Sequence, residues 1–148
     1  MMTSSTEFAP DDIETVEDAL ALLNAALDTP IAMASHIEDE EYTLIGIDDH
    51  LDTGLDVGAE FETSETFCHC VYEGPKRAEM IPDIGADERV AGLPAHENLG
   101  LEAYIGVPLY RDDEFYGTLV VSDTAPREFT DEEIQHAKTV AKLIQSVL

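Results

Sequence analysis

Apolar residues recur at two different periods along this chain, and the switches between them mark out its elements. From Thr15 onward, Val16, Ala19, Leu20, Leu23, Ala26 and Leu27 return every three or four positions, the spacing of one helical face. Thr15 followed by Asp18 resembles a capping box, and Pro30 lies beyond the end of the run. Next, "IAMASHIE" and "YTLIGIDD" are β-prone runs joined by an acidic turn around Glu38 to Glu41, which predicts a hairpin. Gly54 and Gly58 punctuate a loop. In "TSETFCHCVYEG", Thr63 is an N-cap candidate and Gly74-Pro75 a stop, which predicts a short helix over 63–73. "RAEMIPDI" is a weaker strand, and Gly85, Gly92, Pro94 and Gly100 break the segment that follows. "EAYIGVPLY" and "FYGTLVVSD" flank Arg111-Asp112-Asp113-Glu114 as the clearest hairpin. Thr130 and Glu133 form a capping box for a last helix with Ile134, Ala137, Val140, Ala141, Ile144 and Val147 on one face.

These elements predict an α+β domain around a central antiparallel sheet of five to six strands, with the N- and C-terminal helices on one face. Residues 1–10 carry no periodicity and are expected to be a disordered tail, leaving 11–148 as a single domain. The apolar stripes of the terminal helices exceed what one half-covered sheet needs, so a homodimer through them is expected.

Charge then narrows the partners. With 33 Asp plus Glu against 7 Lys plus Arg, the formal net charge is −26. Nucleic acid and anionic membrane surfaces both require basic patches, so neither is expected as a partner. A 44% hydrophobic content with recurring periodic segments argues for a folded chain despite the acidity. Self-repulsion of this size is relieved near 1 M salt, where the Debye length falls to roughly 3 Å, and the composition has the style of a salt-loving archaeon's cytoplasmic protein. No run combines basic residues with an apolar stretch as a signal peptide does, and no window approaches a membrane span. The only two cysteines, Cys68 and Cys70, are one residue apart and poorly placed to bond each other, which suits a reducing compartment.

The order of elements and the words "SETFCHCVYEG", "IPDIGADERVAGLPAHENLG", "LEAYIGVPLY" and "FYGTLVVSDTAPREFTDEE" resemble a GAF domain, a small sensor module of signalling proteins. The resemblance runs from about Thr15 to the C-terminus. It implies a GAF/PAS-like sheet, a loop and short-helix layer over 64–100, a pocket between them for a small-molecule ligand, and output through a separate signalling protein. Some relatives reduce free methionine sulfoxide through a cysteine in the loop matching Gly92 to Gly100, which here has none. Light-sensing relatives attach a bilin through a Cys-His pair where this chain has Ala95-His96, so no covalent bilin is expected. The signature of cyclic-nucleotide-binding relatives is not intact in "DTAPREFTDEE".

Cys68-His69-Cys70 invites a metal or redox reading. On a helix, Cys68 and Cys70 point roughly 200° apart and cannot share one ion, and only His96 is a nearby further ligand. Neighbouring Glu62, Glu65 and Glu73 would raise thiol pKa values. The expectation is therefore no metal and no catalytic residue, with Phe67, Cys68 and Val71 facing inward. The expected ligand contacts are Phe67, Cys68, Val71, Asp83, His96 and Tyr104, although the sequence does not say which parity of the strand at 103–110 faces the pocket. Asp87, Glu88 and Arg89 read as a structural ion-pair loop, and Asp48, Asp49 and Asp52 around His50 as turn carboxylates. Two other functions stay open: a thiol-based redox enzyme or sensor using Cys68 or Cys70, and a ligand-free dimerisation module with a filled core.

Overall fold

The computed structural model describes residues 10–72 and 77–148. Helix α1 spans Pro10–Leu27. It begins earlier than the Thr15 box predicts, because Pro10 suits a first helical position, where its fixed φ helps and its missing N–H costs nothing. Val16, Ala19, Leu20, Leu23 and Leu27 are buried on one face, whereas Ala26 is exposed. The helix ends on Asp28 in the left-handed region at φ 54°, and Asn24 ties that end to the sheet by donating to the Asp48 carboxylate at 2.8 Å.

Strands β1 (Ile31–Glu38) and β2 (Glu41–Asp49) form the first hairpin. Its central residues Asp39 and Glu40 both take positive φ, at 53° and 66°, as a two-residue turn matched to strand twist requires. A short strand β3 (Glu60–Glu62) pairs with β2, and β4 (Glu79–Ile81) pairs with β5 (Ala103–Arg111). Strand β6 (Glu114–Asp123) returns through Asp112 and Asp113, again both at positive φ. The six strands run in the order β3-β2-β1-β6-β5-β4, with every neighbouring pair antiparallel.

The predicted helix over 63–73 is broken. Among its described residues, Thr63–Glu65 forms one 3-10 turn, Thr66 is extended, and only His69–Tyr72 is α-helical, as α2. The Thr66 hydroxyl donates to the Thr63 carbonyl at 2.8 Å and so takes an acceptor that a continuing helix would use. Glu73 and the Gly74-Pro75 stop lie outside the described residues. Helix α3 occupies Pro94–Leu99 and closes on Gly100 at φ 70°.

Helices α1 and α4 (Asp131–Gln145) pack on one face of the sheet, against Ala32, Ala34, Ile45, Ile105, Val107 and Leu119. Helix α1 comes close because β2 offers Gly46, where an added Cβ would sit 2.6 Å from Val16 Cγ1. Arg127 joins three elements: Nη2 donates to the Leu27 carbonyl at 2.6 Å and to Glu133 Oε2 at 2.5 Å, and Nη1 donates to Asp123 Oδ2 at 3.1 Å.

The capping box of α4 is complete, with Glu133 N donating to Thr130 Oγ1 at 3.1 Å and Thr130 N to Glu133 Oε1 at 2.9 Å. Partial burial pushes the Glu133 carboxyl up, but the Thr130 backbone and Arg127 outweigh it and hold the group below its ordinary value. That contribution is present above the unfolded carboxylate pKa and is lost as pH falls through the depressed folded one. Thr130→Ala is expected to lower unfolding free energy by about 1 kcal/mol, read from urea melts at neutral pH.

Candidate functional site

The opposite face of the sheet carries the second core. Even-numbered residues of β5 face it and odd-numbered ones face the helices, which settles the parity: Tyr104 belongs with Ile31, Met33, Tyr42, Leu44 and Val120. Segment 63–72 and α3 lie over these side chains without filling the space. A cavity of about 230 Å³ remains, floored by Met33, Tyr42, Tyr104 and Val120, walled by Phe67, Cys68 and Leu101, and roofed by Pro94, Ala95, Asn98 and Leu99.

Beneath the cavity runs a buried polar seam. Ser35 and Thr118 face each other across β1 and β6 with hydroxyls 2.8 Å apart, and Thr118 Oγ1 donates to Cys68 Sγ at 3.0 Å. The Tyr42 phenol approaches the same Ser35 hydroxyl. Tyr104 completes the group: its ring lies along β5 over Gly106 and meets Phe67 edge-on at 5.7 Å. Its hydroxyl is near the Cys68 sulfur, and among the described residues no hydrogen-bond partner is found for it although the residue is fully buried. A buried hydroxyl without a partner costs about 1–3 kcal/mol.

Of the residues expected to contact a ligand, Phe67, Cys68 and Tyr104 line the cavity and three do not. Val71 is fully buried and is not among the lining residues. Asp83 is exposed at the start of the 84–86 turn. His96 faces away because the α3 turn that sends Pro94, Ala95, Asn98 and Leu99 inward sends position 96 out. Its Nδ1 accepts from Gly92 N at 3.0 Å, so Nε2 carries the proton and donates to Glu102 Oε1 at 3.0 Å. Arg89 grips Asp87 through Nε and Nη2 at 3.1 and 2.8 Å, and this pair braces the loop away from the cavity. Met33, Tyr42 and Val120 escaped the sequence reading. Alternation along their strands would have found them once Tyr104's face was known.

A larger, open depression of about 710 Å³ lies at the β3 edge, lined by Asp39, Glu40, Glu41, Glu60, Glu62 and Thr63 among others. Phe61 and Glu65 line both this groove and the cavity. Among the described residues, no three His, Cys, Asp or Glu side chains are grouped to hold a metal ion, and no helix is long and apolar enough to cross a membrane.

The GAF domain family model matches residues 11–148. The chain belongs to the GAF family. Solved structures share the fold at low identity. The GAF domain from a phosphoenolpyruvate-protein phosphotransferase of Coxiella burnetii is 20% identical, with 94% of this chain and 83% of that one covered and a TM-score of 0.76. The reduced form of fRMsr of Staphylococcus aureus is 22% identical, with coverage of 92% and 82% and a TM-score of 0.70. Bacteriophytochrome RpBphP3 from R. palustris is 17% identical with a TM-score of 0.69; the match takes in 93% of this chain but only 34% of that one. Among curated proteins the comparison finds no match.

Within this GAF domain neither cysteine is in a disulfide, and both are buried. Cys70 is turned inward as well, at 7% exposure. Burial pushes the Cys68 thiol up to about 11, with Thr118, Tyr104 and Thr66 offsetting part of the rise. A thiol of that kind is scarcely ionised at neutral pH and reacts slowly. Iodoacetamide at pH 7 is expected to leave Cys68 unmodified in the folded protein and to label it on denaturation, as peptide mapping would show; rapid native labelling would revive thiol chemistry.

Proposed function

We propose that this GAF domain is a regulatory binding module that takes a small molecule non-covalently in the cavity under α3 and passes its occupancy to a separate signalling partner. The observation that carries this reading is the cavity floored by Tyr104, whose buried hydroxyl has no partner among the described residues. Binding rather than bond-making is favoured by the protonated, buried Cys68 and by the lack of cysteine between Gly92 and Gly100. The seam through Cys68, Thr118 and Ser35 offers a route to the other face, since these strands carry Ala34 and Leu119 against the terminal helices. Leu22 and Leu143 lie 66% and 53% exposed on α1 and α4, which supports a homodimer through those helices. Two cysteines outside any disulfide suit a reducing cytoplasm, and the acidic surface suits a salt-rich one.

Native mass spectrometry of the purified protein tests the reading. The expected result is a dimer carrying a co-purified small-molecule mass that Ala95→Phe, which fills the cavity from its roof, removes without unfolding the chain. A co-purified mass retained by Ala95→Phe places the ligand elsewhere, and a protein that carries and takes up nothing would be a dimerisation module only.

A further inference from the structure

Polarity is sorted around the cavity under α3. The side chains of its floor and wall that carry a polar atom have that atom engaged or sealed. Cys68 Sγ accepts from Thr118 Oγ1 at 3.0 Å, the Thr66 hydroxyl donates to the Thr63 carbonyl at 2.8 Å, and the Tyr42 phenol approaches Ser35. The Tyr104 hydroxyl lies against Gly106 and is closed off from solvent. An occupant would therefore meet Met33, Phe67, Leu101 and Val120, with the rings of Tyr42 and Tyr104. The other polar side chains of the lining, Glu65 and Asn98, are both exposed and so belong to the rim.

Charge is sorted in the same way. Among the described residues, no lysine, arginine or histidine lines the cavity, and its one carboxylate stands in solvent at the rim. An ion entering this space would give up its water without gaining a buried counter-charge, and a carboxylate exposed to water returns little of that loss. A neutral molecule loses nothing of the kind and gains by burying apolar surface. The Met33 thioether and the edge-on pair of Phe67 and Tyr104, 5.7 Å apart, further suit an aromatic body.

We propose that the ligand taken up under α3 is an uncharged molecule with a single-ring, preferably aromatic, body, which enters apolar end first and leaves any polar substituent at the rim. The class rests on the reading of the cavity as a binding site. Volume sets its size. An apolar cavity of about 150 Å³ is enough for benzene, so one of about 230 Å³ takes a ring with a short substituent. It falls below the roughly 300–1,000 Å³ of drug-sized pockets. Nucleotides, organic acids and zwitterionic amino acids are excluded by their charge.

Benzyl alcohol, benzylamine and benzoate share one ring and are neutral, cationic and anionic at pH 7. Each is titrated into the full chain in about 0.5 M KCl, where the field of distant surface charges is screened and the comparison reports the cavity itself. Binding is followed by NMR shifts of Phe67, Leu101 and Tyr104 and by calorimetry. Both ions are expected to bind roughly tenfold or more weakly than the alcohol, and Ala95→Phe is expected to remove the shifts that the alcohol causes. Benzylamine or benzoate binding as tightly as the alcohol, with the same residues shifted, overturns the neutral class while leaving the cavity as a binding site. Alcohol shifts that persist in a folded Ala95→Phe protein place binding elsewhere and overturn both. Should none of the three perturb the cavity, the co-purified mass decides: a neutral single-ring molecule upholds the class, an ionic one overturns it, and the absence of any such mass overturns both.

Discussion

Replacing Gly106 by alanine is expected to lower the unfolding free energy by about 2–3 kcal/mol, towards the upper end of what overpacking costs, and to abolish small-molecule uptake. The reason is local. Tyr104 and Gly106 share one face of β5, and the tyrosine ring lies down over the glycine, so an added Cβ would fall 1.9 Å from the phenol oxygen and 2.5 Å from Cζ. Backbone cannot yield there, because β5 is paired on both sides, with β4 and β6. The ring has two torsions and is held edge-on by Phe67, so its way out is to swing up from the sheet into the cavity, displacing whatever would bind there. The clash belongs to the pair and not to strand propensity, so in a Tyr104→Ala background the same Gly106→Ala change is expected to cost under about 0.5 kcal/mol. Urea melts of the four proteins at fixed salt measure that coupling. A Gly106→Ala protein as stable as the parent, with its cavity still able to bind, would show that the ring does not lie where the cavity requires it.

What the sequence disclosed and what it withheld divide along physical lines. The strands of the two hairpins were plain because each buries both faces, and their β-branched, apolar runs are bounded by acidic turns. Strand β3 was invisible: Glu60-Phe61-Glu62 is exposed along its whole length and is a strand only because β2 offers it a ladder. The 63–73 helix failed for the opposite reason, since a good local cap and stop were overruled by Thr66 and by the burial of Phe67 and Cys68 against the sheet. Phe67 and Tyr104 were found at the cavity because large aromatic side chains on the inward face of a half-covered sheet have nowhere else to go. His96 was drawn to attention by its chemistry, but its place is set by the turn of a six-residue helix that no periodicity announces. The acidic groove was hidden in plain composition: among 33 acids, nothing in the order of residues marks which few converge on one edge.

Raising KCl from about 0.1 M to 1 M is expected to stabilise the protein by roughly 3 kcal/mol, which for a domain of this size moves the melting temperature up by about 6–12 °C. A net charge of −26 on 148 residues forces carboxylates into proximity wherever the chain folds, most directly where Glu41 faces Glu62. Each contact is weak at the surface, but repulsions sum over the whole molecule while the denatured chain can spread them apart. Screening is expected to act steeply at low salt and to flatten as the Debye length falls towards about 3 Å near 1 M, below the spacing of most surface charges. That curvature separates screening from solute exclusion, which strengthens apolar burial steadily with salt concentration and acts more strongly with sulfate than with chloride. Melting temperatures in KCl and in potassium sulfate at matched ionic strength therefore distinguish the two. A rise that continues linearly beyond 1 M and favours sulfate would assign the effect to the two apolar cores. A protein indifferent to salt would mean that its carboxylates are far enough apart in the folded state for their repulsion not to matter, even where Glu41 and Glu62 face each other at the β3 edge.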